Sequence, residues 1–534
     1  MSTGSTAPLD AVVVGAGFAG LYMLHRLRQQ DMSAVVVEAA PDLGGTWYWN
    51  RYPGARVDVE SVEYCYSFSS ALDEEWKWSE KYAPQAEILA YLNHVATKFD
   101  LRRDIRFNTR VEAARFDEAR NVWTVMTDKG PLVARAVVMA TGCLSVPKDP
   151  DFPGIGRFRG QSYFTSRWPH EPVDFTGLHL SVIGTASSSI QTNTEVARQA
   201  RHLTVFQRTP NYSLPARNGQ IPAEELELWK LNRARFRAEA AAAGFGIRHV
   251  FPEDRMLSAT PPDEAERIFE ERWQRGGFCV LGGFADIALD EKSNAIAADF
   301  LARKIRSLVK DPRTADLLTP QTYPVGTKRM CVDTDYYATF NRSNVSLVDV
   351  SQAQIEEITP DGVRTAAQEY RFDAIIFAIG FDAMTGALDR IDIRGRKGQK
   401  LKDKWAAGPK TYLGLSVAGF PNLFTVTGPG SPSVLSNMAP TIEHHVDWIA
   451  GALASLAARR KSTIEATQDA EDAWGAHVNE VAHMTLYPRA NSWYMGANIP
   501  GKPRVFLPYV GGTPAYRAKC AEVVRNGYEG FTLA

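Results

Sequence analysis

Two stretches of the chain share one order of apolar and polar positions. The first reads AVVVGAGFAGLYMLHRLRQQ and is followed by SAVVVEAA; the second reads LSVIGTASSSIQTNTEVARQA and is followed by HLTVFQRT. Each combines a β-branched run, a turn with glycine, apolar residues at three- and four-residue spacing, and another apolar run. This order predicts strand, turn, helix and strand, which is typical of an α/β fold with a parallel sheet and right-handed crossovers.

The first unit carries a complete dinucleotide motif. Gly15, Gly17 and Gly20 form G-x-G-x-x-G between the predicted strand and helix. In this motif the first glycine makes a tight turn, the second lets a pyrophosphate approach, and the third lets helix and strand pack. Glu38 ends the next strand, 21 residues after Gly17, a spacing that suits a carboxylate accepting hydrogen bonds from ribose hydroxyls.

The second unit retains only part of the motif. Gly184 is present, but Ala186 and Ser189 occupy the other two glycine positions. Its far strand ends at Arg208, where the first unit has Glu38, and an arginine favours the 2′-phosphate of NADP over NAD. We therefore predict two Rossmann-like dinucleotide-binding domains, for FAD and NADP. A unit that is only structural and binds no nucleotide remains the alternative here.

The rest of the pattern gives the expected domain organisation. Segments such as EELELWKLNRARFRAEAAAA and NAIAADFLARKIRSLVK predict helices. The sequence of a strand followed by Ala-x-Gly occurs twice, as VVMATG and IIFAIG, and we place the crossings between domains there. The expected division is an FAD-binding domain of residues 1–145 and 380–534, an NADP-binding domain of residues 146–221 and 320–379, and a helical insertion of residues 222–319.

Composition narrows the class of protein. The chain has 534 residues, 45% apolar and 23% charged, with a net charge of −1, and therefore gives no indication of a nucleic-acid or membrane partner. No CxxC pair and no zinc-type spacing occurs, so we expect no metal and no disulfide-reductase chemistry. Scattered cysteines and the lack of a signal peptide or transmembrane segment predict a cytoplasmic location. The five cysteines are Cys65, Cys143, Cys279, Cys331 and Cys520.

Several segments resemble one enzyme family over almost the whole chain. GGTWYWNRYPGARVDVESVEYCYSF, PVGTKR, TGPGSPSVLSNM and SWYMGANIPGKPRVF are similar to segments of type I Baeyer–Villiger monooxygenases, closest to the phenylacetone and steroid monooxygenase branch. The family signature is matched at Phe158, Gly160, Trp168 and Pro169. Its histidine position holds Phe164, and we expect this change to affect a linker between domains and to leave the chemistry intact.

The resemblance implies a function. It implies an NADPH- and O2-dependent flavin monooxygenase that inserts oxygen next to a ketone carbonyl through a C4a-peroxyflavin, giving an ester or lactone. Aryl-alkyl, bulky cyclic or steroid ketones are the substrates implied. The alternatives are a flavin monooxygenase acting mainly on sulfides or amines, and a flavoprotein with an impaired NADPH site. Ala186 is expected to weaken NADPH binding without abolishing it.

The resemblance also assigns residues. Arg329 would stabilise the negative charge of the oxygen transfer, a role in which fixed positive charge is effective, and Asp58 would pair with it. Lys328 would join Arg208 on the 2′-phosphate, and Trp493 would reach the nicotinamide ribose, although it could instead be a buried anchor. Tyr64, Val111 and Met438 could equally be core. The candidate cofactor-binding residues are Gly15, Gly17, Phe18, Gly20, Glu38, Thr46, Trp47, Asp58, Tyr64, Val111, Met438, Gly184, Thr185, Ala186, Ser187, Ser188, Gln191, Arg208, Thr209, Lys328, Arg329 and Trp493.

Overall fold

The computed structural model describes residues 7–250 and 254–534. The strands are β1 (Leu9–Val14), β2 (Ala34–Val37), β3 (Ile105–Arg106), β4 (Val111–Asp117), β5 (Val122–Thr127), β6 (Gly130–Met139), β7 (Gln161–Phe164), β8 (His179–Ile183), β9 (His202–Gln207), β10 (Ser213–Pro215), β11 (Cys331–Asp333), β12 (Val345–Asp349), β13 (Ile355–Thr359), β14 (Gly362–Thr365), β15 (Glu369–Arg371), β16 (Ala374–Phe377), β17 (Asp392–Arg394), β18 (Leu423–Thr425), β19 (Ile464–Ala466) and β20 (Phe531–Leu533).

Helices connect these strands and cover the sheets. They are α1 (Phe18–Arg28), α2 (Thr46–Trp49), α3 (Ser70–Glu75), α4 (Gln85–Lys98), α5 (Ser187–Val196), α6 (Ala223–Ala242), α7 (Pro262–Arg275), α8 (Glu291–Leu308), α9 (Pro312–Leu318), α10 (Tyr336–Thr339), α11 (Gly386–Asp389), α12 (Leu401–Lys404), α13 (Met438–Ala458), α14 (Gln468–His483) and α15 (Thr513–Arg525). Within the described residues, no helix is both long enough and apolar enough to cross a membrane.

The first sheet is built around β1, whose valines are buried on both faces. β1 pairs in parallel with β2 and β6, with Val13 opposite Val36 and Val138. β6 is long: its first half pairs with β5 and its second half also pairs with β18. β17 and β18 come from the C-terminal part of the chain, which therefore returns to this sheet after the second unit.

The second sheet is parallel throughout, with the strand order β12-β9-β8-β16-β7. Its central strand β8 leads through α5 to β9 on one side, and β16 lies on its other side. The strand order therefore reverses at β8, and in open α/β sheets ligands bind outside the carboxyl ends of the strands at such a point.

Helices dominate residues 222–319, as the apolar spacing predicts. Their own core contains Phe269, Phe284 and Phe300, with Phe269 stacked on Phe300 at 5.1 Å. Two sheets with Rossmann-like units confirm the predicted α/β fold class. The domain boundaries stay a prediction.

Candidate active site

The first glycine turn joins β1 to α1. Gly15 has a φ of +105°, and a Cβ there would lie 2.6 Å from the carbonyl oxygen of Ala140. A Cβ at Gly20 would lie 1.8 Å from the carbonyl oxygen of Gly15, so the helix packs directly on the turn. Gly17 is the N-cap of α1 and offers it no side chain. The first N–H groups of the helix are therefore available to an anion such as a pyrophosphate.

Glu38 follows β2 and turns its carboxylate back towards this turn. Its Oε2 accepts a hydrogen bond from the backbone N–H of Ala16 at 2.7 Å, and Oε1 accepts one from Ala40 at 2.8 Å. Burial raises the pKa of Glu38, and the backbone donors act in the opposite direction. The oxygens retain lone pairs that can accept hydrogen bonds from ribose hydroxyls, so Glu38 fits the ribose of a flavin nucleotide.

Three of the residues expected near the flavin contact one another. The rings of Phe18 and Tyr64 are 5.3 Å apart, and Trp47 donates its indole N–H to the Tyr64 hydroxyl at 3.3 Å. Burial raises the pKa of Tyr64 to about 12. Thr46, at the start of α2, is exposed beside them. This aromatic group forms one wall next to the glycine turn.

The other expected positions lie at the ends of elements. Val111 begins β4 and is 8% exposed, which agrees with its alternative interpretation as core. Met438 begins α13 and is half-buried between two apolar clusters. Trp493 is half-buried, with its ring 4.3 Å from that of Tyr494. The cofactor contacts of all three stay predictions.

The second glycine turn repeats the geometry of the first at one position. Gly184 has a φ of +122°, and a Cβ there would lie 2.4 Å from the carbonyl oxygen of Ala378. Thr185 donates its hydroxyl to the carbonyl oxygen of Thr209 at 2.8 Å, which ties the turn to the end of β9. Ala186 is the N-cap of α5, and its methyl group is exposed. The N–H groups at the start of α5, from Ser187 and Ser188 onwards, can still bind an anion.

Ser189 occupies the third glycine position and is fully buried. Its Oγ donates to the carbonyl oxygen of Gly184 at 2.5 Å and accepts from Nδ2 of Asn193 at 3.1 Å. The hydroxyl therefore replaces the direct helix–turn contact of the first unit with a hydrogen bond. Ser189 faces the sheet, away from the turn's open side.

Gln191 of α5 binds the segment that contains Tyr52 and Arg56. Its Oε1 accepts a hydrogen bond from the hydroxyl of Tyr52 at 2.9 Å, and its Nε2 donates to the carbonyl oxygen of Arg56 at 3.2 Å. Both ends of the amide thus bind the segment that also carries Asp58. The assignment of Gln191 to the cofactor stays a prediction.

Arg208 and Lys328 come together at the end of β9. Arg208 is exposed, and the Lys328 ammonium lies 4.5 Å from the centre of the Tyr323 ring. Burial lowers the pKa of Lys328, and the positive charge of Arg208 lowers it further. Two cations that repel each other at the end of this strand suit a doubly charged phosphate.

Arg329 and Asp58 form the predicted pair, although they lie far apart in the sequence. Nε and Nη2 of Arg329 donate to Oδ2 of Asp58 at 3.1 and 2.5 Å, and Nη1 donates to the carbonyl oxygen of Val434 at 2.7 Å. Burial opposes the charge of Arg329, but the Asp58 carboxylate outweighs it and raises the pKa. The guanidinium is thus fixed and permanently charged.

The loop that carries Arg329 is held by a residue that the sequence did not reveal. Asn294 of α8 accepts from the N–H of Val325 at 2.8 Å and donates to its carbonyl oxygen at 3.0 Å. Thr327 closes the turn by donating to the carbonyl oxygen of Pro324 at 2.7 Å. The helical region therefore positions the arginine. The signal that could have indicated this is an asparagine in line with the apolar positions Ala297 and Leu301 of the same helix.

Arg329 borders a cavity that is open to solvent. Tyr494, which the sequence interpretation also missed, lines it and is 2% exposed. Burial raises the pKa of Tyr494 to about 12, although the charge of Arg329 acts to lower it. The lining is otherwise mainly apolar, from Val59, Phe245, Ile247, Val250, Phe278, Leu281, Met330, Val434, Leu435 and Tyr487.

The signature segment is structured and does not form a free linker, which corrects the expectation for Phe164. Phe164 ends the edge strand β7 and stacks on Phe377 of β16 at 5.1 Å, with 15° between the rings. A Cβ at Gly160 would lie 2.3 Å from the carbonyl oxygen of Asp373, and Trp168 is buried against Tyr163. The segment holds the edge of the second sheet by apolar packing.

Outside this region, Glu60, Glu63 and His249 place one ligand atom each within 4.8 Å of one another. Lys81 pairs with Glu60 at 3.3 Å, and Arg248 bonds to the His249 ring nitrogen at 2.6 Å. These neighbouring cations disfavour a metal ion. The expected absence of a metal stays a prediction.

Comparison with known proteins identifies the family. The Pyridine nucleotide-disulphide oxidoreductase family matches residues 12–236, although all five cysteines are buried and unpaired. A solved steroid monooxygenase bound to NADP is 48% identical over 99% of both chains, with a TM-score of 0.95. The structure of OTEMO with FAD and NADP is 40% identical, covering 99% of this chain and 100% of that one, with a TM-score of 0.96.

A curated relative extends this similarity to a named enzyme class. The Baeyer-Villiger monooxygenase of Pseudooceanicola batsensis is 41% identical over 98% of this chain and 96% of its own. The higher identity with steroid monooxygenase than with OTEMO agrees with the branch expected from the sequence. Since this similarity spans nearly the whole chain and the site geometry agrees with it, the protein belongs to the type I Baeyer–Villiger monooxygenases.

Proposed function

We propose that the chain uses NADPH, O2 and bound FAD to insert one oxygen atom next to the carbonyl group of a ketone, giving an ester or lactone. The observation that carries this proposal is the Arg329–Asp58 pair at the wall of an apolar cavity. FAD, once reduced by NADPH, supplies the activation of O2. The glycine turn and Glu38 hold its nucleotide, and Phe18, Trp47 and Tyr64 border it.

Arg329 stabilises the negative charge that develops beside the ketone carbonyl. Its side chain is 27% exposed and lines the cavity, while three of its N–H groups are engaged by Asp58 and Val434. A donor fixed before the reaction needs no reorganisation, and removing such a donor costs a factor of about 10²–10³ in rate. Asp58 is a positioning residue, because it acts through the guanidinium.

The lining of the cavity defines the substrate class. Arg329 is the one charged side chain among the described lining residues, and the remainder are mainly aliphatic and aromatic. Such a site favours ketones with a large apolar body and a single polar carbonyl. Aryl-alkyl, bulky cyclic and steroid ketones have this form.

The cell compartment and partners follow from the same chemistry. NADPH is an intracellular reductant, and the five buried, unpaired cysteines are compatible with a reducing compartment. We therefore place the protein in the cytoplasm, with a small ketone and O2 as its reaction partners. Neither a nucleic acid nor a membrane surface is needed for this reaction.

The test uses FAD-loaded protein with NADPH, O2 and a panel of aryl ketones, cyclic ketones and sulfides, followed by product identification. Esters or lactones are expected. Arg329→Lys should lower ester formation about 100-fold or more, while NADPH still reduces the flavin. Arg103→Lys, at a surface arginine that is 65% exposed, is the matched control. Sulfoxides as the only products would contradict the proposal, and so would an absence of NADPH consumption.

A further inference from the structure

Lys148 is fixed next to the end of β16 by backbone contacts. Its N–H donates to the carbonyl oxygen of Gly380 at 3.0 Å. The neighbouring residues pair in the same way. Pro147 forms an antiparallel bridge with Phe381, and the N–H of Asp382 donates to the carbonyl oxygen of Val146 at 2.9 Å. These contacts hold the backbone of Lys148 against the segment that follows the carboxyl end of β16.

This end of β16 and the end of β9 lie at one edge of the second sheet. Phe377 of β16 is opposite Ile183 of β8, which is opposite Phe206 of β9. Neighbouring strands are about 4.8 Å apart, so β16 and β9 end two strand spacings apart, and Gly380 and Arg208 follow those ends. Lysine and arginine side chains are long enough to reach a common ligand across that gap. The glycine turn at Gly184 lies between them.

Three cations share this region, and carboxylates do not neutralise them. Burial lowers the pKa of Lys148, the charge of Arg208 lowers it further, and Asp382 acts in the opposite direction. Burial and the charge of Arg208 also lower the pKa of Lys328. Asp382 is itself paired with Lys502 at 2.7 Å. In residues 7–250 and 254–534, neither Lys148, Arg208 nor Lys328 has a carboxylate oxygen within ion-pair distance.

We infer that Lys148 is a third cation on the 2′-phosphate of NADPH, acting with Arg208 and Lys328. This inference rests on the proposed function. Two lysines that each lie within the field of Arg208 at one strand edge are stabilised when a dianionic phosphate lies among them. Lys148 approaches from the β16 side, opposite Arg208, so it makes the site select for NADP over NAD from both sides. It also offsets affinity lost through Ala186.

The test compares nucleotide binding by calorimetric titration of the oxidised, FAD-loaded protein. Lys148→Met removes the charge and keeps the length of the side chain. The NADP⁺ dissociation constant should rise about tenfold, while the NAD⁺ dissociation constant stays unchanged. Lys148→Arg should retain most of the NADP⁺ affinity. Lys129→Met removes the same charge from an exposed turn of the first sheet and should change neither constant.

Each other outcome overturns the inference. Unchanged NADP⁺ affinity in Lys148→Met would show that the lysine does not contact the cofactor. An equal rise in the NADP⁺ and NAD⁺ dissociation constants would show that Lys148 binds the pyrophosphate, which both nucleotides have. In both cases ketone oxidation by the wild type would keep the proposed function intact. If the wild type binds neither nucleotide, the inference and the proposed function fail together.

Discussion

The hydroxyl of Ser189 and the carbonyl oxygen of Gly184 are 2.5 Å apart and joined by a hydrogen bond. In the first unit the corresponding contact leaves no space for a side chain, since a Cβ at Gly20 would lie 1.8 Å from the Gly15 oxygen. The helix therefore contacts the glycine turn directly in the first unit and through the Ser189 hydroxyl in the second. Ser189 is a structural replacement for glycine, with its buried hydroxyl bonded to Gly184 and Asn193.

Ser189→Ala should therefore change stability and leave nucleotide binding unchanged. The substitution removes the bond to Gly184 and leaves Nδ2 of Asn193 without its acceptor. We expect a loss of about 1 kcal/mol in the free energy of unfolding, measured as a lower Tm of the FAD-loaded protein. The NADP⁺ dissociation constant should equal that of the wild type. A weaker NADP⁺ affinity with an unchanged Tm would contradict this role.

Ala186→Gly tests the other departure from the glycine motif. The Ala186 methyl group is exposed at the N-terminus of α5, on the side where a pyrophosphate would approach. Removing it should tighten NADP⁺ binding severalfold, about 1 kcal/mol, as measured by titration. Ser189→Ala, on the same helix but facing the sheet, is the control. An unchanged dissociation constant would mean that the methyl group does not limit the approach of the nucleotide.

Local sequence patterns predict the two Rossmann-like units, but they do not predict contacts between residues that are remote in the sequence. The order of β-branched run, glycine turn, helix and second β-branched run predicts both Rossmann-like units, even though the second unit keeps only Gly184 of the three glycines. The pair of Arg329 and Asp58 is separated by 271 positions, and only family resemblance indicates it. Phe164 was expected in a linker because the signature segment lies between the predicted domains, and its stacking partner, Phe377, is remote in the sequence. Local patterns do not reveal contacts of this kind.

Asn294 provides a prediction about positioning. It binds both backbone groups of Val325, four residues before Arg329. Asn294→Ala should loosen this loop, because the backbone groups of Val325 lose their buried partner. We expect the ratio of ester to hydrogen peroxide to fall severalfold, while the rate of flavin reduction by NADPH stays within about twofold of the wild type.

The control for Asn294 is Asn232→Ala. Asn232 lies on an exposed face of α6 and bonds to Leu228 of its own helix. This variant should leave both the product ratio and the reduction rate unchanged. A parallel loss of flavin reduction and ester formation in Asn294→Ala would indicate general damage to the fold and contradict a specific effect on Arg329.

Glu63 gives the stability of the protein a pH dependence. Its side chain is buried; Oε2 accepts from the N–H of Arg248 at 3.0 Å, and Oε1 has no hydrogen-bond partner among the described residues. Burial raises the pKa of Glu63 to about 7, and the Arg248 N–H opposes this. Between pH 4.5 and 7 the folded protein keeps a proton that the unfolded chain releases. Stability therefore falls as the pH rises through this window.

Glu63→Gln removes this titration and retains an acceptor for Arg248. The variant should gain stability relative to the wild type as the pH rises from 5 to 8, by about 3 kcal/mol in total. The measurement is the Tm of both FAD-loaded proteins at four pH values across that range. Glu271→Gln, at a carboxylate that is 76% exposed, should follow the wild-type curve. Parallel Tm curves for Glu63→Gln and the wild type would show that Glu63 is ionised throughout and that its burial is compensated by Arg248.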